Sequence, residues 1–140
     1  MTFHYYHPIE VRYGDIDGQG HVNNAKYLTY LEQARVGYVM NLGLWAADSF
    51  LDVGMILADA QITFRAPILL GQPIRVGVHV SRLGTKSFDM TYVIEDQRDA
   101  RVLATAKTVQ VSYDYRTEKT VPIPDVWRQA VAEFEQIQDN

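Results

Sequence analysis

The chain has no cysteine, so a disulfide framework and a thiolate zinc site are both excluded. It also lacks any apolar run near the roughly 20 residues that a membrane-spanning helix requires. No run of Lys and Arg exceeds single residues, and the net charge is -4. A nucleic-acid binder usually shows a basic excess or stripe, so DNA and RNA are not expected partners. The N-terminus, Met1-Thr-Phe-His-Tyr-Tyr-His7, has no basic n-region followed by an apolar h-region. With neither signal nor cysteine, a cytoplasmic home is the expectation.

What is present is one ordinary domain. The chain has 140 residues, 47% hydrophobic and 21% charged, enough for a core of its own. There is no repeat, linker or low-complexity tract, so residues 1–140 read as a single unit. Ile9, Val11 and Tyr13 alternate with Glu10 and Arg12, which predicts a half-buried strand. Gly14 to Asn23 is rich in Gly, Asp and Asn and reads as a loop.

A helix is expected from Asn24 to Asn41, with Leu28, Leu31, Ala34, Tyr38 and Leu42 at helical spacing. Asn23 or Asn24 can cap it, and Gly43 can stop it. Alternation then predicts four strands. Their shared faces carry Ile56 to Phe64, Ile74 to Val80, Phe88 to Ile94, and Val109, Val111 and Tyr113. Pro122 and Pro124 introduce a short amphipathic helix with Trp127, Ala130, Phe134 and Ile137. Strands joined by short turns pair antiparallel. A sheet with one apolar face and one long amphipathic helix should bury each other. The fold class is therefore α+β: a curved antiparallel five-stranded sheet around a long central helix, plus a short C-terminal helix. Its long edge strands favour pairing with a second copy.

The segment Gly14 to Arg35 concentrates the chemistry. Asp15, Asp17 and Gly20 imitate the opening of a calcium loop, but its twelfth position falls on Lys26 and a strand precedes it. Gly18 and Gly20 open a dinucleotide fingerprint whose third glycine would be Asn23, with no βαβ unit around it. No serine sits in Gly-x-Ser-x-Gly. His4 and His7 could be pictured as metal ligands, but two histidines near a terminus are more often bystanders, so no metal is expected. What remains is a carboxylate, Asp17, in a glycine-flexed loop just ahead of a helix N-terminus. A turn hydrogen bond would explain it. So would catalysis: helix N–H groups polarise a docked carbonyl while the carboxylate attacks it or takes a proton from water.

The segment resembles the signature of the hot-dog-fold acyl-CoA thioesterases, in the branch of 4-hydroxybenzoyl-CoA thioesterase. The match rests on Asp15-x-Asp17-x-x-Gly20, then Asn24, Tyr27 and Glu32-x-Ala34-Arg35. It extends to Val111-Ser-Tyr-Asp114 and Pro122-Ile-Pro124, and covers nearly the whole chain. The resemblance implies a hot-dog fold and hydrolysis of a thioester to a free acid and CoA. No cofactor is implied, since CoA is part of the substrate.

The resemblance also implies roles. Asp17 is the catalytic carboxylate, and the backbone N–H at Asn24 meets the thioester carbonyl. Lys86 and Ser87, in Gly84-Thr-Lys-Ser-Phe88, match a segment that meets the CoA phosphates. His21, Asn23 and Tyr27 are further substrate-binding candidates. Each also has a plainer reading: loop hydrogen bonding for His21, capping for Asn23 and core packing for Tyr27. Asp15 and the Glu32–Arg35 pair read as structure, while Arg65, Arg82 and Lys107 read as solvated strand cations or CoA contacts. The sequence departs from the benzoyl-specific pattern at Gly84-Thr85 and His21-Val-Asn23, so that specificity is not inherited. A dimer or tetramer with Lys86 supplied by a neighbouring chain is implied. An acyl-carrier-protein thioesterase and a non-catalytic acyl-CoA-binding module are the alternatives.

Overall fold

The computed structural model describes residues 3–139. Its elements in chain order are β1 (Tyr5–Ile9), α1 (Asn24–Asn41), β2 (Met55–Phe64), β3 (Ile74–Leu83), β4 (Ser87–Asp96), β5 (Val102–Asp114), β6 (Lys119–Thr120) and α2 (Asp125–Glu135). The main strands pair antiparallel in the order β1-β3-β4-β5-β2, and the two-residue β6 adds to the end of β5. The sheet curls into a half-barrel around α1, which is the hot-dog arrangement.

The helix runs over the bounds its periodicity predicts, Asn24–Asn41. Its inner face buries Tyr27, Tyr30, Leu31, Ala34, Tyr38 and Val39. These meet Ile74, Val76, Val78 and Val80 of β3 and Phe88, Met90, Tyr92 and Ile94 of β4, all buried in one cluster. A fully buried aliphatic or aromatic side chain contributes roughly 1.5–3 kcal/mol relative to exposure, so this layer dominates the stability. Gly37 lets β1 cross the helix closely, since any Cβ there would collide with the Tyr5 hydroxyl and the His7 ring.

Three expectations are corrected. The first strand is Tyr5–Ile9; the chain beyond it turns through Tyr13–Asp15 in a 3₁₀ turn, leaving Tyr13 exposed and Val11 buried outside the sheet. Leu28 is exposed, so it does not join the helix's buried stripe. On β5 the phase is inverted: Ala104, Ala106, Thr108, Gln110 and Ser112 are the buried set, while Val109, Val111 and Tyr113 are half-buried. Alternation fixes which residues share a face but not which face meets the core, and the β-branched valines pointed to the wrong one.

The C-terminal helix closes one end. Trp127 packs near Phe88, the two rings tilted with centres 6.0 Å apart. Glu135 is buried and accepts hydrogen bonds from the Tyr38 hydroxyl (2.6 Å) and the Val80 amide (3.1 Å). Burial, reinforced by that carboxylate, pushes the Tyr38 phenol far above its ordinary range. Arg128 donates to the carbonyls of Gly84 and Thr85, bracing the β3–β4 turn that carries Lys86. Ile137 lies past the helix end.

Candidate active site

The loop between β1 and α1 is a tight knot. The Asp17 amide donates to the His21 carbonyl (3.0 Å) and the Gly20 amide to the Asp17 carbonyl (3.0 Å). Ile16 and Val22 form an isolated antiparallel bridge. Gly20 closes this turn at φ +81, a conformation that side chains other than glycine rarely adopt.

Asp15 anchors the knot from below. Its side chain is 1% exposed and accepts from the Tyr30 hydroxyl (2.7 Å) and the Arg12 amide (3.0 Å), with the Arg12 guanidinium 3.5 Å away. Burial pushes its carboxyl up, but these donors and the charges of Arg12 and Lys26 more than offset that, leaving it below the usual carboxylate range. Burial and the same contact push the Tyr30 phenol well up. Asp15 is thus structural, and its backbone carbonyl also receives the Asn23 amide (2.8 Å).

Asn23 joins the knot to the helix. Its side-chain oxygen caps α1 by accepting from the Ala25 amide (2.9 Å), while its side-chain nitrogen donates to Asp17 Oδ2 (3.3 Å). The other Asp17 oxygen accepts from the Gln19 amide (2.9 Å). The turn hydrogen bond expected of an Asp beside Gly is therefore real, yet it occupies one oxygen only. The Lys26 amide reaches back to the Asn23 carbonyl (2.9 Å). Of the helix's first three amides, only that of Asn24 has no hydrogen-bond partner among the described residues.

These groups share an open cleft of about 260 Å³ whose lining includes Asp17, His21, Asn24 and Tyr27. Tyr27 is buried and meets Phe64 edge-to-face at 4.8 Å. The opposite wall is Phe64 to Pro67 at the exit of β2, which the sequence does not mark as a wall; Arg65, read from sequence as a solvated strand cation or a CoA contact, is part of it. The β2 breaker Pro67 was the available signal, because a strand end facing a helix start makes a cleft. Arg82 and Lys107 lie elsewhere, both paired with Asp89 at 3.0 and 3.4 Å.

Lys86 and Ser87 are not in this cleft. Ser87 pairs with Val111 and Val111 with Ile56, whereas Phe64 lies at the other end of β2. At about 3.3 Å per residue, that places Lys86 roughly 25 Å from the cleft of its own chain. Ser87 Oγ accepts from Arg82 (3.0 Å).

A family model described as the thioesterase-like superfamily matches residues 11–131. The chain is 32% identical over 117 residues to a 1,4-dihydroxy-2-naphthoyl-CoA hydrolase of Thermosynechococcus vestitus, covering 82% of this chain and 80% of that one. It is 28% identical over 131 residues to the long-chain acyl-CoA thioesterase FadM of Escherichia coli, covering 90% and 96%. A crystal structure of a Thermus thermophilus thioesterase complexed with coenzyme A and Zn superposes with a TM-score of 0.84 at 28% identity, covering 98% of each chain.

Proposed function

The chain belongs to the thioesterase-like superfamily and is a thioester hydrolase, and from that premise we propose that Asp17 and the Asn24 amide together cleave acyl-CoA. The observation that carries this reading is their shared cleft: a carboxylate with one oxygen only loosely held, beside a helix N-terminal amide that has no partner among the described residues.

The thioester carbonyl oxygen docks on the Asn24 N–H, where the helix dipole adds to the polarisation. Negative charge gained on that oxygen is stabilised at no reorganisation cost, because the amide is already fixed. Asp17 then acts in one of two balanced ways. As nucleophile it adds to the carbonyl carbon and the C–S bond breaks, giving an anhydride and CoA thiolate; water then cleaves the anhydride. As general base it takes a proton from water as the hydroxide adds, and the thiolate leaves. Asn23 keeps the carboxylate aimed in both. His21 and Tyr27 shape the acyl side of the cleft.

A second chain completes the site. β2 is an edge strand carrying neither Pro nor Lys, with Ile56, Leu57 and Phe64 exposed at 40%, 44% and 48%. Such an edge is a template for pairing. Two-fold antiparallel pairing would set the Phe64 end of one β2 against the Met55 end of the other. That brings the Lys86 end of the partner subunit toward the Asp17 cleft, where Lys86 and Ser87 would hold CoA phosphates.

The test is release of free thiol from a panel of acyl-CoAs. Wild type should turn over at least one substrate, and Asp17→Asn should lose about 100-fold or more in kcat, the scale of a lost acid–base group. A variant that folds and keeps most of its activity would remove Asp17 from the mechanism.

A further inference from the structure

Most of the chain's arginines stand against a carboxylate. Arg65 and Arg101 do not, and of these only Arg65 borders the Asp17 cleft. Among the described residues the Arg65 side chain is exposed and makes no hydrogen bond or ion pair. Its backbone, by contrast, is fixed. The amides of Arg65 and Ala66 both donate to the Leu103 carbonyl (2.9 and 3.1 Å), so two residues leaving β2 face one of β5. That is the hydrogen bonding of a β-bulge, which interrupts strand alternation and re-aims side chains. Phe64 and Arg65 thus border the same cleft although they are consecutive. A permanent cation and the Asp17 carboxylate line one cleft without pairing.

The sheet order says which part of a bound acyl-CoA meets that cation. The wall carrying Arg65 lies at the β2 edge, so pairing of β2 with a second copy makes it the wall nearest the partner. Lys86 immediately precedes β4, and β5 lies between β4 and β2. Crossing from Arg65 to the partner subunit's Lys86 therefore takes three strand spacings, about 14 Å. The pantetheine arm is the part of CoA that spans this gap, with the phosphates at one end and the sulfur at the other. The sulfur reaches the reacting carbon from the side of Arg65, while Tyr27 and His21 keep the acyl side.

We propose that Arg65 is a further catalytic residue, whose guanidinium stabilises the CoA thiolate as the C–S bond breaks. When Asp17 or water has added to the carbonyl carbon, the negative charge sits on oxygen at the Asn24 N–H. Collapse re-forms the C=O bond and breaks the C–S bond, and the bonding pair goes to sulfur. The charge thereby moves from the helix N-terminus toward the opposite wall, where Arg65 stands. A cation placed where charge develops lowers the barrier to that step. Arginine keeps its protons at working pH, so it holds the thiolate without donating to it, and the thiolate takes its proton from water on release. The inference rests on the acyl-CoA thioesterase reading and on β2 pairing.

The experiment places one acyl group on three thiols: CoA, pantetheine and an acidic thiophenol. The readout is the single-turnover rate of thiol release. Arg65→Met should slow release about 10-fold from both CoA and pantetheine, less than for a sequestered oxyanion donor because this group is exposed. On the thiophenol ester the loss should shrink to about 2-fold, since that thiolate is stable without help. Arg65→Lys should restore much of the rate. An exposed, unpaired side chain holds nothing together, so both variants should unfold at the wild-type urea midpoint. A loss on CoA that vanishes on pantetheine would put Arg65 on a phosphate and overturn the inference. An equal loss on all three thiols, or no loss, would also overturn it while wild-type turnover left the thioesterase reading standing. No thiol release by wild type from any thioester would remove that reading and this inference together.

Discussion

Removing one oxygen from Tyr30 should destabilise the whole Asp17 loop. In Tyr30→Phe the ring still fills its place in the core, but Asp15 loses a 2.7 Å hydrogen bond at a site 1% exposed. Water cannot replace the lost donor there. Hydrogen bonds to buried charged groups contribute about 1.5–3 kcal/mol, so a loss of that size is expected at neutral pH. For a chain of this length it corresponds to a fall of very roughly 5–10 °C in Tm.

The pH dependence gives the reasoning its sign. The Asp15 carboxyl lies below its ordinary value in the folded chain. Its stabilisation is therefore complete above the unfolded value, about 3.9, and is lost as the pH falls through the folded one. Tyr30→Phe raises that folded value. The gap between wild type and variant should be full at pH 7 and close progressively below about pH 4. Urea unfolding at several pH values measures it, and a double-mutant cycle with Asp15→Asn isolates the pair. A gap under about 0.5 kcal/mol at pH 7, or one unchanged at low pH, would refute the account of Asp15 as the charged anchor.

Asn23→Ala should lose both its cap and its hold on Asp17, costing about 0.5–2 kcal/mol by denaturant unfolding. Its kcat should fall more than a capping loss elsewhere in the fold would explain, and unchanged kcat would mean that Asp17 needs no such aim. Ala60→Glu on the β2 edge should place a carboxylate opposite Asp59 of the second copy in the proposed pairing and shift the chain to monomer in light scattering, with turnover lost in parallel. A dimer that persists would move the interface elsewhere. Lys86→Ala should raise KM for an acyl-CoA several-fold and leave the same acyl group on a truncated pantetheine thioester nearly unaffected; equal effects on both would take Lys86 off the phosphates.

Much of this protein is legible in its sequence because the relevant physics is local. Helical spacing and the Asn23 cap set α1 at Asn24–Asn41, and strict alternation set the buried faces of β3 and β4. The Asp17 loop was visible for the same reason: glycine, carboxylate and helix start lie within a few residues. Packing between distant segments was not legible. Nothing in Val102 to Tyr113 says that Thr108 and Gln110 face inward, because alternation is symmetric until a partner surface chooses a side. Nor could Phe64 to Pro67 be seen as the wall opposite Asp17, since β2 reaches the helix start only through its place at the sheet edge. The proposed catalytic pair lies in one stretch of chain, whereas its surroundings exist only once five strands have curled around the helix.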